Sequence, residues 1–232
     1  MPQSSETVIQ TTAYTFRKMQ QAGLEPEERA KEATLIIDPS KLDEQSAYKL
    51  LIGAVVPRPI AWTATISPEG VRNLAPFSFF TVASRNPPTL CISVGPRDSD
   101  DASKDTLENI EQTEEFVINI VSLSLSNTMH ESSKSHPPEA DEFEKAGLTA
   151  ATCEVVKAPR VGEAGVSMEC LLDRVLPLGS DHLVIGRMVR FHVRDELYHN
   201  GRIDVAGLDP LGRLAGNYTK VETIFELPSE DF

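Results

Sequence analysis

The sequence predicts a mainly β fold with peripheral helices, formed as a single domain over residues 35–232. From Leu35 onward, short apolar runs alternate with turn signals that contain Pro and Gly, which is typical of an antiparallel barrel or sandwich. The chain has no internal repeat and no linker-like stretch in this part. Residues 1–34 are polar and charged with scattered apolar positions, so they predict two short helices or a partly disordered arm.

Four strands and one helix are predicted in the first half of this domain. The first two strands flank the segment 67–70, which places Pro68 and Gly70 at turn positions and therefore predicts a hairpin. Residues 104–115 have a helical pattern, with Asp105 or Ser103 as the residue that caps its N-terminus. The four strands are residues 59–66, 71–83, 89–95 and 116–121.

The second half predicts two short helices followed by another strand. Residues 122–146 are rich in Ser, His, Pro and Glu, and the second helix in this stretch ends at Gly147. Residues 182–197 alternate apolar and other side chains with a period of two, which indicates an antiparallel strand with one buried face.

The charge balance and the cysteines limit the classes of function. The chain has 22 Lys and Arg residues against 35 Asp and Glu residues, and its formal net charge is −13. This charge repels nucleic acids and anionic membranes, so neither is expected as a partner. The three cysteines fit neither a disulfide framework nor a zinc site, and they indicate a reducing compartment. No export signal or spanning apolar run is present, so we expect a cytoplasmic protein.

Motifs of several common enzyme classes are absent from the sequence. It contains no glycine-rich dinucleotide loop, phosphate-binding loop, HExxH, GxSxG or CxxC motif. Nothing in the sequence pairs His192 or His199 with carboxylate or thiolate ligands, so structural or solvated roles are expected for them. The sequence therefore predicts neither a catalytic triad nor a metal site.

Small polar side chains lie within the apolar strands of the first half. A mostly hydrophobic surface with a few hydrogen-bonding groups is the composition of a small-ligand cleft. The alternative is that these groups bond to nearby backbone in an ordinary hairpin. The residues concerned are Thr63, Thr65, Asn73, Ser78 and Ser93.

The start of the predicted helix offers donors for a phosphate. Lys104, Asp105 and Thr106 would bring an ammonium, a hydroxyl and free backbone N–H groups to the positive end of the helix dipole. A solvated helix start is the alternative. Aromatic side chains nearby could flank a planar ring, or could simply belong to the core. They are Trp62, Phe77, Phe79 and Phe80.

Taken together, these segments resemble the flavin reductase-like FMN-binding family, which includes flavoredoxin-type proteins. The resemblance covers roughly residues 35–225 and is most specific in its first half. Its segments, in chain order, are VVPRPIAWTATI (55–66), NLAPFSFF (73–80), NPPTLCISV (86–94), KDTLENI (104–110), EFVINIV (115–121), DEFEKAGLT (141–149) and RLAGNYTKV (213–221).

The resemblance implies a six-stranded Greek-key split barrel that forms a homodimer and holds FMN non-covalently in a groove near the subunit interface. On this basis Thr63, Ala64 and Thr65 would lie beside the flavin. Asn73 and the stretch Ala75, Pro76, Phe77 and Ser78 would hold the pyrimidine edge and the ring plane. Contacts to the phosphate or ribityl chain would come from Arg58, Ser93, Lys104, Asp105 and Thr106.

The function that the resemblance implies is an NAD(P)H-dependent flavin reductase, in which nicotinamide delivers a hydride to N5 of the flavin. Because FMN brings the redox chemistry, no dedicated acid or base is required and no catalytic residue is predicted. Two alternatives remain. One is an FMN-carrying electron-transfer protein that serves a redox partner protein and has no NAD(P)H activity of its own. The other is a cofactor-less β-barrel that acts as a binding module.

Overall fold

The computed structural model describes residues 34–97, 103–134, 136–137 and 139–225, so the predicted arm at residues 1–34 lies outside the described residues except for Thr34. The chain divides into two units, Met1–Tyr48 and Lys49–Phe232. The described part of the first unit contains one turn of 3-10 helix at Pro39–Lys41. Its N-terminus is capped by Asp38, whose carboxylate accepts a hydrogen bond from the Ser40 backbone N–H.

The described residues are mainly β with peripheral helices, as predicted. The helices, in chain order, are α1 (Glu44–Ala54), α2 (Asp105–Thr113), α3 (Ser126–Glu131), α4 (Glu142–Ala146) and α5 (Val205–Leu208). The strands are β1 (Arg58–Pro59), β2 (Ala61–Ile66), β3 (Arg72–Phe77), β4 (Phe80–Arg85), β5 (Pro88–Val94), β6 (Glu115–Ile120), β7 (Ala150–Ala151), β8 (Arg160–Val161), β9 (Val166–Leu178), β10 (Asp181–Val193), β11 (Tyr198–His199), β12 (Arg202–Ile203), β13 (Leu211–Arg213) and β14 (Tyr218–Lys220).

Seven antiparallel strands form the main sheet, in the order β3-β2-β6-β9-β10-β5-β4. The two strands at its edges, β3 and β4, are joined by only Ser78 and Phe79. A link of this length spans at most about 11 Å, whereas the edges of a flat seven-stranded sheet would be about 29 Å apart. The sheet must therefore curl until its edges approach each other. The Ser93 N–H of β5 donates to the Phe79 carbonyl at 2.8 Å, which extends the pairing of β4 with β5 into the link.

The segment 71–83 was predicted as one strand, and this prediction is wrong. It forms β3 and β4, which lie at opposite edges of the main sheet, and this accounts for the seventh strand. The break falls at Ser78, where the chain leaves its pairing with β2 and turns to pair with β5. A continuous apolar run does not reveal such a break, because both halves have strand-forming side chains.

Both faces of the strands β2 and β6 are buried. On β2, Trp62 and Ala64 contribute to one core cluster and Ala61 to another. The first cluster is covered by Met129 of α3 and Phe143 of α4. The second contains the apolar side chains of α2, Leu107 and Ile110. Helix α2 thus packs on one face of the sheet, and α3 and α4 pack on the other.

The long strands β9 and β10 form a hairpin with a two-residue turn. Gly179 has φ of +60° there, a conformation that favours glycine. The pairing shifts twice along this hairpin. Asp173 of β9 is skipped opposite Ile185 and Gly186, and Val189 of β10 is skipped between Met188 and Arg190, so each strand has one irregularity. Among the described residues, no helix is long and apolar enough to cross a membrane.

Candidate functional site

A pocket of about 120 Å³ lies where β3 meets the N-terminal ends of α2 and α4. Thirteen of the described residues line the pocket; seven of them were predicted from the sequence and six were not. The predicted ones are Asn73, Ala75, Pro76, Phe77, Lys104, Asp105 and Thr106. The others are Arg97, Ser132, Ser133, Lys134, His136 and Glu142.

Helix α2 begins at this pocket without a side-chain cap from the part of the chain that the structure describes. The prediction that Asp105 or Ser103 caps it is wrong, because the N-cap is Lys104 and neither predicted side chain bonds to the free N–H groups. The Asp105 carboxylate instead pairs with Arg97 at 2.5 Å. The backbone N–H groups of Asp105 and Thr106 consequently have no acceptor among the described residues. An uncapped helix start of this kind favours an anion, since donors and helix dipole act together.

Among the described Lys and Arg side chains that line this pocket, Lys104 is the one that remains available. Arg97 is engaged by Asp105, and the Lys134 ammonium lies 2.5 Å from a carboxylate oxygen of Glu131. Lys104 makes no ion pair with the residues that the structure describes, and its ammonium lies 5.8 Å from the centre of the Phe77 ring.

A buried hydrogen-bond network positions the start of α2 against the sheet. Asn73 and Thr65 are direct partners on β3 and β2, and the Asn73 Oδ1 accepts hydrogen bonds from Thr65 Oγ1 at 3.3 Å and Thr106 Oγ1 at 2.8 Å. The Asn109 amide donates to Thr65 Oγ1 at 3.0 Å. All four side chains are buried. Asn73 is thus a support for α2 as well as a lining residue of the pocket.

Three predicted site residues on β2 are fully buried and do not line the pocket. They are Thr63, Ala64 and Thr65. The Thr63 hydroxyl donates to the Ala61 carbonyl of its own strand at 3.4 Å. Trp62, considered for a ring-stacking role, lies in the core, where its indole N–H donates to Ser132 Oγ at 2.8 Å. Strand β2 therefore supports the pocket from behind.

Arg58 is buried and supports the chain around α1. Its guanidinium donates to the carbonyls of Ile52 at 2.8 Å, Val55 at 2.6 Å and Leu214 at 2.8 Å. The same group lies 5.8 Å from the centre of the Phe79 ring. Through these three hydrogen bonds Arg58 joins separate segments, and it does not line the pocket, although its buried Nε has no partner among the described residues.

The two predicted serines also lie outside the pocket lining. Ser93 donates to the Asp181 carboxylate at 2.9 Å, across the pair of strands β5 and β10. Ser78 is half-buried in the link between β3 and β4, and its hydroxyl makes no hydrogen bond with the residues that the structure describes. It directly follows Phe77, so it stands at the rim of the lined surface.

Glu142 is the acidic lining residue that the sequence reasoning missed. It is only 7% exposed and accepts a hydrogen bond from the Leu74 backbone N–H. Burial raises the pKa of Glu142 to about 7, and the nearby carboxylates of Asp105 and Asp141 add to this effect, against the hydrogen bond from Leu74. The segment DEFEKAGLT predicted this helix, but the burial of the Glu142 side chain depends on how α4 packs against β3.

A second cluster, of Cys153, Glu169 and His192, brings three ligand-type atoms within 4.8 Å of one another. The expectation that His192 has no carboxylate partner is wrong, because its Nε2 lies 2.6 Å from a fully buried oxygen of Glu169. The backbone N–H groups of residues 154, 155 and 156 also donate to Glu169.

The chemistry of this cluster is that of a structural support. Burial alone would raise the pKa of Glu169, but the hydrogen bonds from three backbone amides and from His192 outweigh it and bring the pKa to about 2. Burial and the charge of Glu169 raise the pKa of the Cys153 thiol to about 12, so it stays protonated. The Glu169 carboxylate therefore fastens the loop at residues 154–156 to the strands β9 and β10.

Comparisons with known proteins agree with this architecture. Residues 53–211 match the model of the flavin reductase like domain. The nitrilotriacetate monooxygenase component B from Bacillus cereus is 42% identical with a TM-score of 0.81, over 84% of this chain and 99% of that one. The 2-nitrobenzoate 2-nitroreductase from Pseudomonas fluorescens is 30% identical with a TM-score of 0.78, over 85% and 98%.

A structure from Shewanella frigidimarina with a split barrel domain has a TM-score of 0.72 and 22% identity, over 85% of this chain and 100% of that one, and it shows the fold alone. The predicted split-barrel architecture and the family resemblance are both confirmed. The matched domain includes all seven strands of the main sheet and the pocket between β3, α2 and α4. The chain belongs to the flavin reductase-like family.

Proposed function

We propose that this protein binds FMN non-covalently, with the phosphate at the start of α2 and the ring against the end of β3, and acts as an NAD(P)H-dependent flavin reductase. The observation that carries the proposal is Lys104, a cation without an ion pair among the described residues, beside the uncapped start of α2. The membership of the flavin reductase-like family supports it at the level of the reaction class.

The start of α2 fits a phosphate group in size and charge. A pocket of about 120 Å³ is small for a whole cofactor, because complete small-molecule sites measure roughly 300–1,000 Å³. It suits a phosphate, which the Lys104 ammonium and the N–H groups of Asp105 and Thr106 would hold. The remainder of the ligand would then extend along β3.

The lining provided by β3 fits one side of a planar ring. Ala75 and Pro76 offer half-buried apolar surface, and Phe77 adds an aromatic face that is mostly buried. Bound FMN would supply the redox chemistry, namely acceptance of a hydride at N5. The protein's part would be to fix the ring plane on this surface, to exclude water from one side and to leave the other side accessible to NAD(P)H.

We also propose that the protein works as a homodimer in the cytoplasm. The groove of one chain encloses too little volume for the ring, and a second chain would supply the missing wall. Exposed apolar side chains in and after α1, and one after β3, support this: Leu51, Val55, Val56 and Phe79. The cytoplasmic assignment is supported by three free cysteines, Cys91, Cys153 and Cys170.

The names of the similar structures suggest two uses for the electrons. One is a component of a monooxygenase, which favours transfer of reduced flavin or electrons to a partner protein. The other is a nitroreductase, which favours direct reduction of a small aromatic substrate. We propose the first, because the similarity to the monooxygenase component is greater, at 42% against 30% identity.

Titration of the purified protein with FMN and with riboflavin tests the phosphate assignment. Loss of one charge-assisted contact costs about 1.5–3 kcal/mol, so Lys104→Gln should weaken FMN binding roughly 10- to 150-fold and leave riboflavin binding nearly unchanged. Lys157→Gln removes the same charge from an exposed side chain that does not line the pocket, and it should bind as the wild type does. Equal affinity of the wild type for FMN and riboflavin would contradict the assignment.

Anaerobic mixing of the FMN-loaded protein with NADH or NADPH tests the reaction. Bleaching of the flavin absorbance on addition of either nucleotide supports the reductase. A protein that binds FMN but is not bleached by either nucleotide would be an electron carrier. A protein that binds no FMN would be the empty β-barrel.

A further inference from the structure

Glu142 is a buried carboxyl group in the wall of the pocket that we assign to the FMN phosphate. It is the first residue of α4, and one of its oxygens accepts a hydrogen bond from the Leu74 backbone N–H. Its other oxygen accepts no hydrogen bond from the described residues, although the residue is only 7% exposed. The pocket is lined by this side chain and by Lys104 alike.

Glu142 forms no ion pair with the residues that the structure describes, although charged groups lie on its own helix and on the elements packed against it. Asp141, which directly precedes α4, and Glu144 within α4 both form ion pairs with Arg72 of β3. From α2, the Asp105 carboxylate adds a negative charge that is itself paired with Arg97. The remaining charged or titratable groups on the packed elements are Lys145 of α4, Lys104 before α2, Glu108 and Glu111 of α2, His130 and Glu131 of α3, and Lys134 and His136 after α3.

We propose that binding of an anionic phosphate in this pocket is coupled to uptake of a proton by Glu142. An ionised Glu142 and a phosphate would share about 120 Å³, where their repulsion is little screened by water. Protonation removes this repulsion and turns the carboxyl group into a hydrogen-bond donor for a phosphate oxygen. The coupling rests on the proposed function, since it requires that FMN binds here through its phosphate.

The direction of the pH effect follows from the state of the free protein. The pKa of Glu142 is raised to about 7 by burial and by the charges of Asp105 and Asp141, so both forms are populated near neutral pH. A bound phosphate raises this pKa further, which means that FMN affinity increases as the pH falls from above 8 towards 7. Each unit by which binding raises the pKa changes the affinity about tenfold at pH values above both pKa values.

Calorimetric titration of FMN into wild type and Glu142→Gln tests the coupling. Gln keeps an oxygen for the Leu74 N–H and cannot ionise. The titrations are done between pH 6 and 9 in two buffers of different ionisation enthalpy, which measures protons taken up per FMN bound. Near pH 8 the wild type should take up more protons than Glu142→Gln, and at pH 9 the variant should bind FMN about tenfold more tightly for each unit of the pKa shift.

Two controls separate Glu142 from other titrating groups. The phosphate of FMN changes its charge near pH 6, and His136 is a further pH-dependent charge in the lining, but both effects persist in Glu142→Gln and cancel in the comparison. Glu144→Gln removes a carboxylate from the exposed side of the same helix, where the side chain is 76% exposed, and it should match the wild type.

The same titrations separate failure of the coupling from failure of the proposed function. If FMN binds to both proteins with the same pH dependence and the same proton uptake, the coupling is overturned and the FMN site stands. If the wild type binds no FMN at any pH, the proposed function and the coupling are both overturned. Unfolding curves of the ligand-free proteins check that the variant folds. They should show the wild type losing stability relative to Glu142→Gln as the pH rises from about 4.5 to about 7.

Discussion

At the scale of single residues, Asn73 and Ser78 have different surroundings although they lie on either side of the same predicted stretch, Ala75 to Phe77. Asn73→Ala removes the acceptor of Thr65 and Thr106, and leaving buried groups unpaired costs about 1–3 kcal/mol. It should therefore lower the melting temperature of the ligand-free protein and also weaken FMN binding. Ser78→Ala removes a hydroxyl that makes no hydrogen bond with the described residues.

The Ser78 variant serves as the matched comparison for Asn73. Its melting temperature should stay unchanged, and its FMN affinity should fall roughly 2- to 13-fold if the hydroxyl contacts the ring edge. Melting curves and FMN titrations of both variants measure these effects. Unchanged FMN affinity in Ser78→Ala would remove Ser78 from the predicted site and leave the rest of the pocket in place.

Glu169 is a second residue whose effect is local and depends on pH. Its pKa of about 2 in the folded protein is below the ordinary value of 4.5, so the ionised form stabilises the fold above pH 4.5 and this contribution is lost as the pH falls towards 2. Glu169→Gln should lower the free energy of unfolding at pH 7 by roughly 2–4 kcal/mol. Urea unfolding between pH 2 and pH 7 should show the difference shrinking in acid.

Glu154→Gln is the control for this prediction. The Glu154 side chain is exposed and only its backbone N–H takes part in the contact with Glu169, so the variant should unfold like the wild type. A constant difference between Glu169→Gln and the wild type down to pH 2 would show that packing, and not the ionised carboxylate, holds this loop.

At the scale of elements, the Phe116 side chain of β6 packs closely against the backbone of β10 at Gly186. A Cβ atom at Gly186 would lie 2.3 Å from Cζ of Phe116, which is 1% exposed. Gly186→Ala should therefore destabilise the protein by about 1–3 kcal/mol, as overpacking does in well-filled cores. Thermal unfolding measures this effect.

Gly53→Ala makes the same chemical change where it meets no obstacle. Gly53 is exposed in α1, and no heavy atom lies within 4 Å of the added Cβ. Because Ala favours the helix over Gly, the variant should be as stable as the wild type or gain up to about 1 kcal/mol. A Gly186→Ala protein as stable as Gly53→Ala would show that Phe116 can move aside.

At the scale of the whole molecule, the proposed dimer depends on the apolar patch of Leu51, Val55, Val56 and Phe79. Arg58 connects this patch, since its guanidinium donates to the Val55 carbonyl and lies against the Phe79 ring. Val55 is 60% exposed, so a charge there does not disturb the core. Val55→Glu should shift the protein from dimer to monomer and weaken FMN binding, as measured by sedimentation and titration.

Leu178→Glu places the same charge on another exposed apolar side chain, at the tip of the β9 and β10 hairpin. It should leave the dimer intact. A monomer in Leu178→Glu together with a dimer in Val55→Glu would move the interface to the hairpin. A wild-type protein that is monomeric at micromolar concentration with FMN bound would contradict the dimer altogether.

The sequence by itself determined the mainly β fold, the family and seven of the residues that line the pocket. It did so because period-two patterns and turn residues are local, and because the segments NLAPFSFF and KDTLENI are contiguous in the chain. Among the described residues, tertiary structure alone decided that residues 71–83 split between opposite sheet edges and that Thr63 faces the core. It also decided that Glu142 accepts a hydrogen bond from the Leu74 N–H and that His192 contacts Glu169. These features depend on contacts between distant segments, where burial and the neighbouring charges set both the orientation and the pKa of a side chain.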